Sequence, residues 1–514
     1  CDFTGDGQKL TMLMYDITDR ENPVLLREIR FSGSYLNSRR IERAVHSVVL
    51  YPVVVSQPDM QYTPELVNQC PEYEPTPDEP TLAEIIAAFD TLKQYNRDII
   101  NNSAPEDWLP AIEDIRYDDN GSTTTGTQLL DCAAIYEDGQ KSRQSYLTVV
   151  SFDIDELEEL SQSTVLGKPG AVYASDSALF IANRQESSSG YNWYFDEAAM
   201  LSDATTVHKF NLYSDPATSA YVASGVVKGR VLNQFSIDEQ DGYLRLATTT
   251  GHLPDPRTHN SLVILQDTGS ALTTVGQIDN IAPTEDIRSV RFADDRAFMV
   301  TFKKTDPLFC FDLSDPLQPR IEGELKIPGY STYIHMLDED HLLTIGYDAD
   351  DAGERAYFQG IMLQLFDVSS MRNPFLMHKE IIGSRGTSSE AATDHLAFNY
   401  FTPRQALAIP ITICEGGEGG SGYGYDMSFS GLLVYRVSIQ DGFTELGGIS
   451  HVSEDAFNSY YSPCGGWWTD SNSIVKRSIF MDDYVYSVAM DQILIHHLDR
   501  IGEEVTGVDL TGSP

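Results

Sequence analysis

Short apolar segments of strand length recur along this chain, each closed by an acidic or hydroxyl-bearing turn. The pattern reads LMYDITDRENP at 13–23, LTVVSFDID at 147–155, HKFNLYSDP at 208–216 and SLVILQDTG at 261–269. It returns as PLFCFDLSDPLQP at 307–319, IMLQLFDVSSMRNP at 361–374, GLLVYRVS at 431–438 and QILIHHLD at 492–499. β-Branched and aromatic residues favour a pleated strand, Asp, Ser and Thr turn the backbone through their side chains, and Pro stops the strand from running on. Between these segments lie hairpins with turns rich in Asp, Glu or Gly. Examples are AVYASDSALFIANR (171–184), FSIDEQDGYLRLATT (235–249), VRFADDRAFMVTF (290–302), YIHMLDEDHLLTIGY (333–347), HLAFNYFTPRQALAIP (395–410) and IFMDDYVYSVAM (479–490).

A hairpin plus the strand pair that follows gives about four strands in roughly 40–60 residues, the period of a propeller blade. The chain holds seven such units and half of another at its start. The expected fold is therefore all-β: a β-propeller of about 7–8 four-stranded blades, forming a single domain over residues 1–514. A series of β-sandwich domains would need linkers, and none is visible. One segment breaks the pattern. Residues 56–146 are Pro-rich and contain TLAEIIAAFDTLKQYNRDII, where Thr81 and Glu84 have capping-box spacing and Leu82, Ile85, Ile86, Phe89 and Leu92 share one stripe. This predicts an insertion with a helix over about 82–100. The helix is expected to cover a blade edge or one mouth of the channel, with a partner-binding helix as the alternative.

These segments resemble a family of secreted prokaryotic proteins containing a C-terminal β-propeller domain distantly related to WD-40 repeats. The resemblance is closest over 288–412, in RSVRFADDRAFMVTFKKTDPLFCFDLSDPLQPRIEGELKIPGYSTYIHMLDEDHLLTIGYD, LQLFDVSSMRNP and TDHLAFNY, and extends to MYDITDRENPVLLREI, SGSYLNSRR and LLDCAAIY. It implies a location outside the cell or in its envelope, and brings no assigned activity. Members of that family begin with a further strand segment carrying a GVDEADIVKTDG-like run, so by this comparison the chain looks truncated at its N-terminus, which leaves blade closure open.

Charge narrows the partners. The 514 residues carry 77 acidic and 35 basic side chains, for a net charge of −42. Such a polyanion lacks the Lys and Arg clusters that neutralise nucleic acid, so nucleic-acid binding is excluded as a function class. No apolar run reaches the roughly 20 residues of a membrane-spanning helix. The chain begins at Cys1 without an initiator Met, which fits a processed leader, a lipidated N-terminus or a fragment. Cys1, Cys70, Cys132, Cys310, Cys414 and Cys464 form no CxxC pair, which argues against zinc and iron–sulfur sites. Cys70, Cys132, Cys414 and Cys464 are the disulfide candidates for an oxidising compartment, and Cys310, inside PLFCFDL, is expected to be a buried thiol.

Candidate chemistry is sparse. No GxSxG elbow, HExxH pair, P-loop or dinucleotide glycine pattern occurs. Asp2, Thr4, Asp6 and Gly7 match only the first half of an EF-hand loop, because Leu13 stands where the bidentate Glu belongs. Asp348, Asp350 and Asp351, with Glu354, offer hard oxygen ligands at short spacing, so calcium is the expected metal if one binds. The segments expected to form the innermost strands, which line a propeller channel, carry Arg39, Arg291, His335, His395 and Arg477, candidate channel-lining residues able to attract anionic or sugar-like ligands. In the plainer reading each satisfies backbone or a neighbouring Asp, as Asp394 could for His395. The leading expectation is a binding or scaffold propeller recognising extracellular protein or glycan. The alternative is an extracellular hydrolase or lyase using carboxylates with His335 or His395.

Overall fold

In a computed structural model the chain is described except for residues 1–6, 53–59, 65–79, 105–106, 119–122, 138–144, 156–159, 186–202, 303–305, 328, 352–355, 418–421, 423, 453–463, 465–470, 472 and 512–514. It divides into two compact units, Cys1–Glu186 with Thr206–Gly225 and Ser187–Thr205 with Val226–Pro514. The first unit contains β1 (Thr11–Asp16), β2 (Val24–Phe31), β3 (Ser34–Ile41), β4 (Ala44–Pro52), α1 (Leu82–Asn102), β5 (Ala111–Tyr117), β6 (Thr123–Leu129) and β7 (Ile135–Glu137). It continues through β8 (Ser145–Asp153), β9 (Ser161–Gly167), β10 (Ala171–Ala174), β11 (Ala178–Gln185), β12 (Ala204–Ser214) and β13 (Ala217–Lys228). These strands form three sheets, in the orders β1-β2-β5-β6, β3-β4-β8-β9-β7 and β10-β11-β12-β13.

The second unit contains β14 (Arg230–Val231), β15 (Ile237–Gln240), β16 (Tyr243–Thr250), β17 (His259–Asp267), β18 (Leu272–Ile281), β19 (Asp286–Ala293), β20 (Arg296–Phe302), β21 (Asp306–Asp312) and β22 (Arg320–Ile327). Then come β23 (Tyr330–Met336), β24 (His341–Asp351), β25 (Ala356–Asp367), β26 (Phe375–Ile382), β27 (Ser388–Ser389), β28 (Asn399–Phe401), β29 (Ala406–Glu415), β30 (Asp426–Ser438) and β31 (Gly442–Ser450). The last four are β32 (Arg477–Met481), β33 (Tyr484–Val488), β34 (Gln492–His497) and β35 (Arg500–Asp509). Five sheets result: β14-β16-β17-β18 with β15 on β16, β19 to β22, β23 to β26, β27-β29-β30-β31 with β28 on β29, and β32 to β35.

Turn chemistry sets this repetition. At the hairpin tips Glu42, Asp241, Asp294, Gln405 and Asp482 adopt φ near +50°, a left-handed backbone that turns two strands of right-handed twist back on each other. At the end of the third strand a carboxylate accepts from the backbone N–H two residues on, Asp312 from Ser314 at 2.9 Å and Asp367 from Ser369 at 2.9 Å, and Asp16 at the end of β1 accepts from Thr18 in the same way at 2.8 Å. A bulge then recurs between third and fourth strands, at Ile264/Leu265, Cys310/Phe311, Leu365/Phe366 and Val434/Tyr435, and a like bulge falls between β1 and β2 at Met14/Tyr15.

The second and third strands read as continuous apolar runs because both faces of each sheet are covered. Phe298, Leu308, Leu343, Ile345, Leu363, Leu407, Ile409 and Leu433 belong to one core cluster in the second unit. Val48, Leu147, Val149, Leu179, Ile181 and Phe210 do the same in the first. Cys310 is buried and its thiol is pushed up to about 12 by that burial, as an inert core residue should be.

The insertion is more ordered than its composition suggests. Residues 56–146 supply α1 and also β5, β6 and β7. β5 pairs with β2, β6 with β5, and β7 runs parallel to β9. The helix begins at the Thr81 cap with the full capping box to Glu84, and runs two residues beyond the expected end. Of its apolar stripe only Leu92 is buried, while Leu82, Ile86 and Phe89 are exposed among the described residues.

Cys414 and Cys464 form a disulfide across 50 residues of sequence. Cys70 lies outside the described residues, and so does the Cys132 side chain, whose backbone opens a short 3₁₀ turn. The candidate EF-hand positions Asp2, Thr4 and Asp6 are outside them too.

Truncating Leu363 to Ala should cost about 2–5 kcal/mol in urea unfolding, whereas Leu82→Ala, at a side chain 73% exposed, should cost under about 0.5 kcal/mol. Equal costs would contradict the assignment of core and surface. Closing a loop of this length removes unfolded-state entropy worth about 4 kcal/mol, so Cys414→Ser should lower stability by about 2–5 kcal/mol and make it insensitive to dithiothreitol.

Candidate functional site

Bulges also align the first strands. The register slips between Ile287 and Ser289 in β19, between Ser331 and Tyr333 in β23, and between Tyr35 and Asn37 in β3. Counting two residues past each slip reaches Arg291, His335 and Arg39. These three candidate channel-lining residues therefore hold one register position in three sheets.

In the second unit Arg291 and His335 meet residues from two 3₁₀ turns, Gln234–Ser236 and His395–Ala397. The Phe235 ring stands edge-on to His395, with centroids 4.9 Å apart, and lies 5.2 Å from Tyr333. The Arg291 guanidinium sits 5.6 Å above the same Phe235 ring. Phe398 links Tyr333 at 5.1 Å to His335 at 5.6 Å, and Tyr400 closes on His335 at 5.5 Å. Gln234 Nε2 lies 3.0 Å from His395 Nε2. An amide nitrogen can only donate, so with this amide orientation the imidazole nitrogen accepts and the ring is neutral.

Both histidines are held neutral. Burial, reinforced by the Arg291 charge, pushes His335 down to about 4. Burial also lowers His395; Asp394 opposes the shift, and Arg477 and Arg291 add to it. Burial raises the Tyr333 phenol.

The cations differ sharply. Arg477 is paired with Asp394 at 2.5 Å and donates to the Lys476 carbonyl, and Lys476 is paired with Glu390 at 2.8 Å. Arg291 has neither an ion pair nor a conventional hydrogen bond among the described residues, and its Nε is buried without a partner. Arg39, in the first unit, is exposed and bound to Asp176 at 3.0 Å. Four of the five candidates are therefore placed in the second unit, and one of those four keeps a free charge.

Phe235, Tyr333, Phe398 and Tyr400 were missed in the sequence. A signal did exist in β23, where Tyr333 precedes His335 by two residues and so shares its strand face. Phe235 belongs to a 3₁₀ turn and Phe398 directly follows one, so neither has a period to betray it.

The candidate calcium loop is partly strand. Asp350 and Asp351 lie in β24, paired with Tyr357 and Ala356; their side chains, and Glu354, fall outside the described residues. Asp348 accepts from Lys379 Nζ at 2.6 Å, a cation already in place. No group of three or more His, Cys, Asp or Glu side chains suited to a metal occurs among the described residues.

Sheets of four antiparallel strands repeated with common bulges and turns define a β-propeller protein. The chain belongs to the family described as "Beta propeller domain", whose model matches residues 2–501; the match runs over almost the whole chain and is not confined to a C-terminal part. An uncharacterized protein of Methanocaldococcus jannaschii is 40% identical over 183 residues, covering 35% of this chain and 27% of that protein. Another uncharacterized protein, from Archaeoglobus fulgidus, is 31% identical over 280 residues, covering 54% of this chain and 36% of its own length. The chain thus spans between a quarter and just over a third of the curated relatives it matches. Among solved structures, the periplasmic gluconolactonase of Pseudomonas aeruginosa aligns with a TM-score of 0.39 at 10% identity, covering 71% of this chain and 92% of that one. No helix among the described residues is long and apolar enough to cross a membrane.

His335 generates a pH prediction. Its ordinary value is 6.5 and its folded value about 4, so between these the unfolded chain binds more protons. The stability tied to neutral His335 is fully present above pH 6.5 and is lost as pH falls toward 4. His335→Gln should therefore shrink the stability lost on acidification to about pH 4.5 by roughly 1–2 kcal/mol, read from urea midpoints. An unchanged pH dependence would refute the buried neutral state.

Proposed function

We propose that this chain is a binding propeller whose second unit recognises an anionic group, a carboxylate carried on a glycan, through Arg291. The observation that carries this reading is the Arg291 guanidinium, unpartnered among the described residues, in a protein of net charge −42. With more than two carboxylates for every cation, a part-buried Arg left without one calls for an explanation that exposed arginines such as Arg97 and Arg436 do not. Guanidinium binds carboxylate through paired, charge-assisted hydrogen bonds, and Phe235, Tyr333 and Phe398 add apolar faces for a sugar ring.

Binding is favoured over hydrolysis by the state of the titratable groups. Acid–base catalysis works best with groups titrating near the working pH. Here His335 and His395 are both lowered, and Asp394 is held by Arg477. The Cys414–Cys464 disulfide supports an oxidising location, at the cell exterior or in its envelope.

Isothermal titration with a galacturonate oligomer whose other residues are neutral galactose, so that it carries a single carboxylate, its fully neutral galactose counterpart and inorganic phosphate tests the reading. The galacturonate oligomer should bind, and Arg291→Gln should weaken it about 10- to 100-fold, the worth of a charged hydrogen-bond pair. Unchanged affinity in the variant, preference for the neutral sugar, or no binding at millimolar oligomer would each sink it.

A further inference from the structure

The helix α1 has two apolar sides, and only one of them is covered. Ile85, Ala88, Leu92, Asn96 and Ile99 recur at intervals of three and four residues and are buried or half-buried, so this side faces inward. Leu82, Ile86, Phe89 and Ile100 share a second side, and all four are exposed. Between Phe89 and Ile100 that second side carries Lys93 and Arg97, both exposed as well.

This second side belongs to a groove. The Asn96 side chain accepts from the Gln61 N–H at 3.2 Å and donates to the Gln61 carbonyl at 2.7 Å. The amide thereby pairs with the backbone as a neighbouring strand would, and holds this stretch of chain beside the helix. Tyr62, the next residue, lines the groove together with Phe89, Leu92 and Ile100, and Lys93 and Arg97 line it too. The groove encloses about 350 Å³, at the small end of the range for ligand pockets. A partner helix, about 10–12 Å across with its side chains, would overlie such a space without filling it, whereas a small molecule fits.

The two cations point to the ligand. Arg97 by itself would need no account, but Lys93 and Arg97 stand four residues apart on one face, about 6 Å along the axis, where like charges weaken a helix. The macrodipole favours cations only in the last turn of a helix, and the last turn of α1 holds no basic residue. Asp90 lies three residues before Lys93, the spacing of a helical ion pair, yet neither Lys93 nor Arg97 has an ion pair or a hydrogen bond among the described residues. In a chain of 77 acidic side chains this pair of charges is left for an anion from outside.

We propose that the groove between α1 and Gln61–Tyr62 binds an amphiphilic monoanion, a medium-chain fatty carboxylate. The carboxylate bridges Lys93 and Arg97, one oxygen to each cation, and the hydrocarbon chain lies over Phe89, Leu92, Ile100 and the Tyr62 ring. Charge and surface choose this ligand together. Apart from its two cations the groove is mainly apolar, which suits a hydrocarbon chain better than a sugar. A polyanion or an anionic membrane would set its further charges against a protein of net charge −42, and a single carboxylate does not. The groove lies wholly within the first unit and does not depend on the reading of Arg291.

The test is equilibrium dialysis of the full chain against decanoate at neutral pH. Acetate supplies the head alone, decyl glucoside below its micelle concentration supplies the chain without the charge, and anionic phospholipid vesicles supply a membrane. Decanoate should bind, and acetate and decyl glucoside should bind at least about tenfold more weakly. Lys93→Gln combined with Arg97→Gln should weaken decanoate by about tenfold or more, the worth of a charged hydrogen bond, and Phe89→Ala should weaken it as well. Melting temperature should stay nearly unchanged in these variants, because the altered side chains are exposed, and Arg436→Gln, at an exposed arginine of β30, should leave binding as it was. No binding at millimolar decanoate, equal binding of decyl glucoside, undiminished decanoate binding in the double variant, or capture of the protein by vesicles without decanoate binding would each overturn the proposal.

Discussion

Everything in this fold depends on sheets that are apolar on both faces. A strand such as β20 or β29 is buried along almost its whole length, so it has no polar side to turn to water and is stable only between neighbours. That constraint explains why the polar residues collect where they do. The tips carry Asp, Glu and Gln in left-handed conformation, the third strands end on turn-forming carboxylates, and the surplus acids occupy the surface. The bond from the residue after the third strand to the hairpin tip ties these features together. It fixes the hairpin against the strand that follows, and so holds the register on which Arg291 and His335 depend.

The same constraint decides what was legible in the sequence. Strands buried on both faces leave dense apolar runs, and the Asp-terminated turns mark their ends, so hairpins such as 290–302 and third strands such as 307–312 could be read directly. β5 and β6 could not: β5, inside its sheet, buries only Ile112 and Ile115, whose spacing of three breaks strand alternation, and TTTGTQL in β6 lies at the sheet edge, where little burial is required. The α1 boundary was legible because a capping box is a local device, needing only Thr81 and Glu84. What α1 packs against is a tertiary matter, which the Leu82–Phe89 stripe could not specify. The candidate site lies between these extremes. Its strand-borne Arg291 and His335 shared a position in the repeat, while Phe235 and His395 came from 3₁₀ turns whose placement only the folded chain shows. Cys414 and Cys464 are a further case: composition marked them as candidates, and only their proximity in the fold paired them.

Electrostatics give the site its character. In a chain of net charge −42, long-range attraction of an anion is unavailable, and beyond about 8–10 Å salt screens what field there is. Recognition of an anion must therefore be local, from a cation whose strength is preserved by partial burial and by neighbours that carry no charge of their own. Arg291 meets that requirement through its surroundings. Phe235 offers a ring face, and His335 and His395, which could compete as cations or be drawn into ion pairs, are kept neutral by burial. Arg477 does not meet it, because Asp394 already satisfies it at 2.5 Å. The two arginines differ in what surrounds them, and a ligand bearing one carboxylate on an otherwise uncharged body fits that arrangement better than a polyanion, whose remaining charges would face the acidic surface.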